Sequence, residues 1–340
     1  MMSEFSPSSD LNGPILESSN QLSMKITLYG VRGSLATPQS SKEERAKLKQ
    51  ILQLARQNWE KNPKGFSEEE FLETLPMPLD QHLGGNTTCV AVEGQGGERI
   101  ILDMGTGVRV LGNQLAPLAF GKDPLHLSIL MSHTHWDHIQ GWPFFKPAYS
   151  PNTSIDFYSC LPNLEERLKR QQHPEHFPIS FDMMASKKSF TLWQELESYL
   201  IGNLKIIPFQ LRHPGACTGY RIKEGNRVFL FCTDVEYREE DRESLRQIKP
   251  KIAGADLLVI DGQYSNDEAE KKQGWGHTSV AKAVEFAEML DIKSVVLTHH
   301  EPDHLDQEVV EIVKKEAKPL KANGIQVYIA KEGLSFELLD

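Results

Sequence analysis

The sequence has no apolar run of about 18 residues, the length a membrane-spanning helix requires, so no spanning helix is expected in its 340 residues. Cysteine is scarce. Cys89, Cys160, Cys217 and Cys232 are the only four, and no two stand in a C-x-x-C pair. That argues against a zinc ribbon and against a thioredoxin-type redox motif. Reduced thiols, mostly buried in strands of a cytoplasmic protein, are the expectation. Positive charge is also short. Lys and Arg total 37 against 47 Asp and Glu, a formal net charge of −10, and the two signs are interleaved. Long nucleic acids are held by basic surfaces that neutralise several phosphates, so this balance fits a small anionic substrate better. The N-terminus lacks a basic start followed by an apolar stretch. Residues 1–23 are rich instead in Ser, Asn, Pro and Gly, and read as a disordered lead rather than a signal peptide.

The remainder, residues 24–340, is long enough to bury a large core, and a 39% hydrophobic, 25% charged composition is that of a globular protein. Residues 25–31 alternate as a strand into the turn Arg32-Gly33-Ser34. A helical insertion follows at about 40–80. Ser41-Lys42-Glu43-Glu44 has capping-box spacing, and Leu48, Ile51, Leu52, Ala55 and Trp59 share one helical face. A second capping box at 67–70 opens a short helix. This hairpin reads either as a lid over a site or as surface decoration. Further strands are predicted at 87–92, 99–103, 125–132, 154–159, 203–213, 218–223 and 227–233, with 161–193 partly helical and partly irregular. The last third alternates strands at 256–261 and 294–299 with helices at 280–290 and 308–320, the second stopped by Asn323-Gly324. A closing strand spans 325–330. No internal repeat is visible. A strand-rich part followed by an alternating one predicts two packed sheets with helices outside.

The chemistry concentrates in His133-Thr134-His135-Trp136-Asp137-His138, directly after the apolar run 125–131. His133 and His135 leave the same face of an extended chain and can share one metal; Asp137 and His138, past the turn, can reach a neighbouring one. Imidazole and carboxylate ligands suit zinc, and also manganese or iron. Four other segments place candidate residues at strand ends: His213; Asp234, a carboxylate suited to bridging two cations; Asp261 with His277; and His299, followed by His300, Asp303 and His304. Alone, His213 or His299 would be a satisfied polar residue, Asp234 a turn residue, and Thr278 the cap of a helix start. The dense first motif alters that reading, because its ligands need completion. Trp136, Trp142, Pro143, Phe144 and Phe145 form a mostly aromatic run that either packs beneath the metals or stacks on a nucleobase. Arg32 and Arg212 are candidates for a phosphate contact or for surface ion pairs, Cys217 for packing, and His300, Asp303 and His304 for positions behind the ligands or at the rim.

His133 to His138 resembles the H-x-H-x-D-H signature of the metallo-β-lactamase superfamily, and the order of Asp103-Met104-Gly105, the signature, His213, Asp234 and His299 follows it. Asp261, Gly276-His277-Thr278-Ser279 and Leu297-Thr298-His299 are similar to the C-terminal motifs of ribonuclease Z and related small-molecule phosphodiesterases, as are Gly30-Val31-Arg32-Gly33-Ser34 and Gly84-Gly85-Asn86-Thr87-Thr88-Cys89. The resemblance implies an α/β protein, a four-layer αββα sandwich with a two-metal site at one edge. It implies His133, His135 and His213 around one divalent ion, Asp137, His138 and His299 around the other, and Asp234 between them. Asp137, His277 and Asp261 become the catalytic residues. Two close cations would clamp a bridging hydroxide and neutralise developing phosphate charge, while His277, oriented by Asp261, protonates the leaving alkoxide. β-Lactams and thioesters have less need of such an acid, so phosphodiesters of small or cyclic nucleotides are the expected substrates. Hydrolysis of a lactone, thioester or β-lactam, tRNA 3′ processing, and a non-catalytic metal-dependent sensor are the alternatives. Two departures stand out. Residues 163–188 have mixed charge where ribonuclease Z carries a basic, Gly-rich arm. Asp261 replaces a glutamate, which predicts a longer or water-mediated pairing with His277. Relatives of this branch dimerise, and the insertion is a candidate for closing a partner's site.

Overall fold

The computed structural model describes residues 23–317 and 324–339. The expected disordered lead lies outside these except for Ser23, which opens the first strand; residues 318–323, including the Asn323 stop, also lie outside.

Residues 39–82 form a compact unit by themselves. It carries α1 (Ser41–Lys61) and α2 (Glu68–Glu73). The capping box sits one residue earlier than the sequence suggests: Ser40 is the cap and Glu43 closes the box. The face holding Leu48, Ile51, Leu52, Ala55 and Trp59 is present, but no residue of α1 is buried. Lys47 Nζ donates to the Pro78 carbonyl at 2.6 Å, tying α1 to the end of the unit.

The second unit, residues 23–38 and 83–340, contains two seven-stranded sheets. The first holds β1 (Ser23–Gly30), β2 (Cys89–Glu93), β3 (Arg99–Leu102), β4 (Leu125–Leu130), β5 (Thr153–Ser159) and β6 (Lys187–Leu192) in that spatial order. The second holds β7 (Tyr199–Ile201), β8 (Leu204–Leu211), β9 (Cys217–Glu224), β10 (Arg227–Cys232), β11 (Leu257–Asp261), β12 (Ser294–Thr298) and β13 (Gln326–Ile329), again in order. The last strand, β14 (Ser335–Leu339), crosses back and pairs antiparallel with β1. The strand at 325–330 is therefore not the closing one. β6 and β7 were not read from the sequence, since β6 lies inside the stretch read as helical and irregular.

The two sheets repeat one plan that the sequence does not display. Strands β1 to β3 and β7 to β10 pair antiparallel; β3 to β6 and β10 to β13 then run parallel. Parallel strands need crossovers, and helices supply most of them: α3 (Gly107–Ala119), the single turn α4 (Trp136–Ile139) and α5 (Leu164–Gln171) in the first half, α6 (Arg242–Ile252), α7 (Asn266–Lys271), α8 (Val280–Met289) and α9 (Asp306–Glu316) in the second. Side chains alternating along each strand build the layers. Phe229 and Phe231 of β10 meet Ile26, Leu28, Ile100 and Leu102 between the sheets. Leu230 and Cys232 point the other way, against Leu245 of α6 and Val284 and Ala287 of α8. On the outer face of the first sheet, Val108 and Leu111 of α3 and Leu168 of α5 cover Ile129 and Phe157. This is the αββα sandwich. No helix of the described residues is long and apolar enough to cross a membrane. The cysteines are free; Cys89, Cys217 and Cys232 are buried in strands and Cys160 is part-buried.

The topology fixes where the site lies. Strands β3, β4, β10, β11 and β12 run in the parallel direction of their sheets, and β8, antiparallel to β9, points the same way as β10. Asp103, His133, Asp234, Asp261, His299 and His213 follow the C-terminal ends of these strands, where α/β folds gather ligand-binding groups.

Candidate metal centre

Local structure turns the first motif into a cluster. β4 ends at Leu130, and α4 folds the chain back so that Asp137 and His138 are buried. A carboxylate that was not selected as a site residue, Asp103, organises both ends of the motif. It accepts from Ser132 N at 2.7 Å, Ser132 Oγ at 2.6 Å and His138 Nδ1 at 2.8 Å. Ser132 Oγ in turn lies 3.0 Å from His133 Nδ1. Likewise His213 Nδ1 donates to the Gly276 carbonyl at 2.8 Å, and His299 Nδ1 to Gln263 Oε1 at 3.0 Å. With Nδ1 engaged as donor, each ring keeps Nε2 as a lone-pair donor to a metal. The Nε2 atoms of His133 and His138 are buried and make no well-aligned hydrogen bond among the described residues, as expected of ligands and costly otherwise.

The ligand atoms of His133, His135, His213 and Asp234 lie within 4.8 Å of one another, and so do those of Asp137, His138, Asp234 and His299. Asp234 belongs to both groups and divides its oxygens between them. Oδ2 is 3.6 Å from His133 Nε2 and 3.8 Å from His213 Nε2; Oδ1 is 3.1 Å from both His138 Nε2 and His299 Nε2. Asp137 Oδ2 lies 3.2 Å from His138 Nε2 and 3.1 Å from His299 Nε2, and accepts from Ser34 N at 2.8 Å. His135 is the exposed member; its Nδ1 faces His213 Nε2 at 3.0 Å. Imidazole nitrogens and carboxylate oxygens in two adjoining sets fit two divalent ions of the zinc, manganese or iron type.

The two sets differ electrostatically. Burial pushes His133 well down, and neighbouring imidazoles add to it; burial also lowers His135 and His213. Burial would lower His138 too, but Asp234, Asp137 and Asp103 outweigh it and raise this imidazole well above its ordinary value. His299, buried beside Asp234 and hydrogen-bonded to Asp137, is pushed up to about 9. Burial alone would raise Asp137 and Asp234; the surrounding imidazoles hold both well below the carboxylate range.

His277 stands beside both sets, its ring 4.9 Å from that of His299 and 5.4 Å from that of His213. Its Nδ1 meets Asp261 Oδ2 directly at 2.8 Å. The shorter side chain at 261 therefore does not lengthen the pair: β11 carries the carboxylate to the ring, and Gln263 N and Val235 N donate to its two oxygens at 2.9 and 3.4 Å. Backbone geometry is unusual at two of these positions. Asp103 and His299 have φ of +60° and +61°, a region that non-glycine residues enter mainly under functional constraint. Gly276, at φ +92°, packs so closely that a Cβ would sit 2.2 Å from His213 Nδ1.

The other candidates divide between expectation and correction. Arg32 is neither a phosphate contact nor a surface residue. It is buried, paired with Asp306 at 2.6 Å, and donates to the Gly84, Glu301 and His304 carbonyls. Arg212 is the surface ion-pair residue, bound to Asp241 and Glu240. Ser279, not Thr278, caps α8. Trp142 and Phe145 are core, while Trp136 and Phe144 are exposed. His300 is buried against the Ala330 carbonyl, His304 bonds Glu268, and Cys217 packs in the core. Asp103, Ser132 and Gln263 were the omissions. Asp103 carried the same signal as Asp234, a carboxylate closing an apolar strand, but Gln263 had none.

Residues 98–300 match the Beta-lactamase superfamily domain, and the chain belongs to this family: it is a metallo-β-lactamase-fold protein of a superfamily made up mostly of hydrolases. Within it the chain is similar to ribonuclease Z and phosphodiesterase-like proteins. It is 23% identical to a ribonuclease Z of Treponema pallidum (strain Nichols), over 71% of this chain and 88% of that protein. Among solved structures it is similar to the metallo-β-lactamase-fold protein YhfI from Bacillus subtilis, with TM-score 0.62, 18% identity, and coverage of 94% and 100% of the two chains. Unliganded yeast PDE1 is similar too, with TM-score 0.59, 15% identity, and coverage of 93% and 100%.

Proposed function

We propose that the chain is a dinuclear-metal hydrolase of phosphodiester bonds, with a small or cyclic nucleotide as substrate. The observation that carries this reading is the His277–Asp261 pair at 2.8 Å, standing beside both ligand sets. His133, His135 and His213 would hold one divalent ion, zinc before manganese or iron, and Asp137, His138 and His299 the other, with Asp234 between. Such a pair supplies Lewis acidity and an activated water at neutral pH. Asp261 accepts from Nδ1 and fixes the tautomer and orientation of the His277 ring. Nε2, which meets no hydrogen-bond partner among the described residues, is then the atom that holds a proton for a departing alkoxide. Proton delivery of this kind contributes about 10²–10⁴-fold, and a β-lactam or thioester gains less from it.

Ribonuclease Z among the relatives favours a second reading, cleavage of a tRNA precursor. The charge of the 163–188 segment counts against it: Lys169 is paired with Glu165 and Asp182 rather than free for phosphate. The test loads the protein with two equivalents of zinc or manganese and assays a cyclic nucleotide, bis-(p-nitrophenyl) phosphate, a lactone, a β-lactam and a precursor tRNA with a 3′ trailer. Turnover of the small diesters at least about a hundredfold above the others, within the range a matched site commands, is expected. Preference for the lactone or the β-lactam contradicts the proposal, and preference for the precursor favours the second reading.

A further inference from the structure

Tryptophan is seldom left in solvent, yet Trp275 is 63% and Trp136 is 83% exposed. Both are carried by backbone that adjoins the imidazole-rich set. Trp136 adjoins His135 in the chain, His135 Nδ1 is 3.0 Å from His213 Nε2, and His213 Nδ1 bonds the carbonyl of Gly276, which adjoins Trp275. The Trp275 indole is displayed by a built turn. The carboxylate of Glu236, a buried residue, accepts from the backbone N–H groups on either side of it, Gly274 at 2.8 Å and Gly276 at 3.0 Å. Lys272 Nζ, ion-paired with Glu301 at 3.4 Å, stands 4.3 Å from the Tyr264 ring and 5.8 Å from the Trp275 ring. A buried carboxylate that fixes the turn carrying an exposed indole suits a ligand that has a flat π face.

We propose that Trp275 and Trp136 form the platform on which the base of a nucleotide substrate stacks. The proposal rests on the reading of this centre as a nucleotide phosphodiesterase and narrows it to base-bearing esters. Because every base has a π face, the platform selects for the presence of a base rather than its identity.

The test titrates the metal-loaded full chain with adenosine 5′-monophosphate and with ribose 5-phosphate, following indole emission and heat. The mononucleotide is expected to bind about tenfold more tightly or better, from the usual strength of base–indole stacking, and to quench the emission. Trp275→Ala should bring the two ligands within about twofold, and Trp275→Phe, which keeps a ring, should retain most of the preference. Equal binding by the unmodified protein, or a preference that survives Trp275→Ala, overturns the proposal. If Trp275→Ala is unstable, Trp136→Ala carries the test, and an unchanged preference there overturns it equally. Self-association that Trp275→Ala abolishes, without any preference for the base, assigns the indoles to an interface between copies and also overturns it. Binding, not turnover, is read. A protein that prefers the nucleotide but hydrolyses no diester sinks the hydrolase reading alone. One that hydrolyses diesters but binds both ligands alike sinks the platform alone.

Discussion

Asp234 gives one carboxylate oxygen to each ligand set, so neither set is complete without the other. Their proton affinities nevertheless point in opposite directions. The imidazole-rich set is depressed, and its rings are neutral at pH 7 whether or not an ion is bound. The carboxylate-rich set is raised, with His299 at about 9 and His138 also well up, so below that pH a metal must displace protons from it. Filling the second set is therefore expected to release protons, and its affinity to fall as pH drops below about 9, roughly tenfold per unit for each displaced proton. Titration calorimetry in two buffers of different ionisation enthalpy measures this; equal, proton-free binding at both sets at pH 7 contradicts it. At this scale the sequence was informative wherever a clustered side chain follows an apolar strand, as His133, His213, Asp234 and His299 do. It was silent on Gln263 and Ser132, because their roles depend on neighbours brought from far along the chain.

Among elements, the strand ends aim the candidate ligands and two close-packed glycines hold the aim. Gly276 presses on His213 and Gly33 on His299; a Cβ at Gly33 would lie 2.3 Å from His299 Nδ1. Gly33→Ala should therefore displace His299 and empty the carboxylate-rich set, lowering bound metal from two equivalents toward one. Gly276→Ala should do the same at the imidazole-rich set. Elemental analysis after dialysis decides it, and full occupancy in both variants removes the argument from packing. Most strands were legible from alternation and apolar runs. Helix α3 was not, because Gly105 and Gly107 read as turn residues and Pro117 lies inside the helix. Helix α6 was missed because charges outnumber its buried Leu245 and Ile252.

For the whole molecule, the sandwich closes without residues 39–82. The chain leaves and re-enters it at neighbouring points, where Thr37 N donates to the Gly85 carbonyl at 2.8 Å. Loop closure there is already made, so replacing 39–82 by a short Gly/Ser linker is expected to leave far-UV circular dichroism and metal content intact. Loss of either shows that the unit is part of the sandwich's stability; loss of turnover alone assigns it the lid role. The insertion's helices were readable, but neither role could be read from its sequence, since α1 has no buried face to orient it. The repeated plan of the two sheets was invisible for a related reason: it is kept in strand direction and order rather than in residues. The central claim, phosphodiester cleavage with His277 as proton donor, is tested most directly by the leaving-group dependence of His277→Ala with its metal content verified. On a dinucleotide, which expels an alkoxide, the account predicts a loss of about 10²–10⁴-fold. On a nucleoside p-nitrophenyl phosphate, whose leaving group needs no proton, it predicts a loss below about tenfold. Equal losses on the two substrates, or none on either, would contradict it.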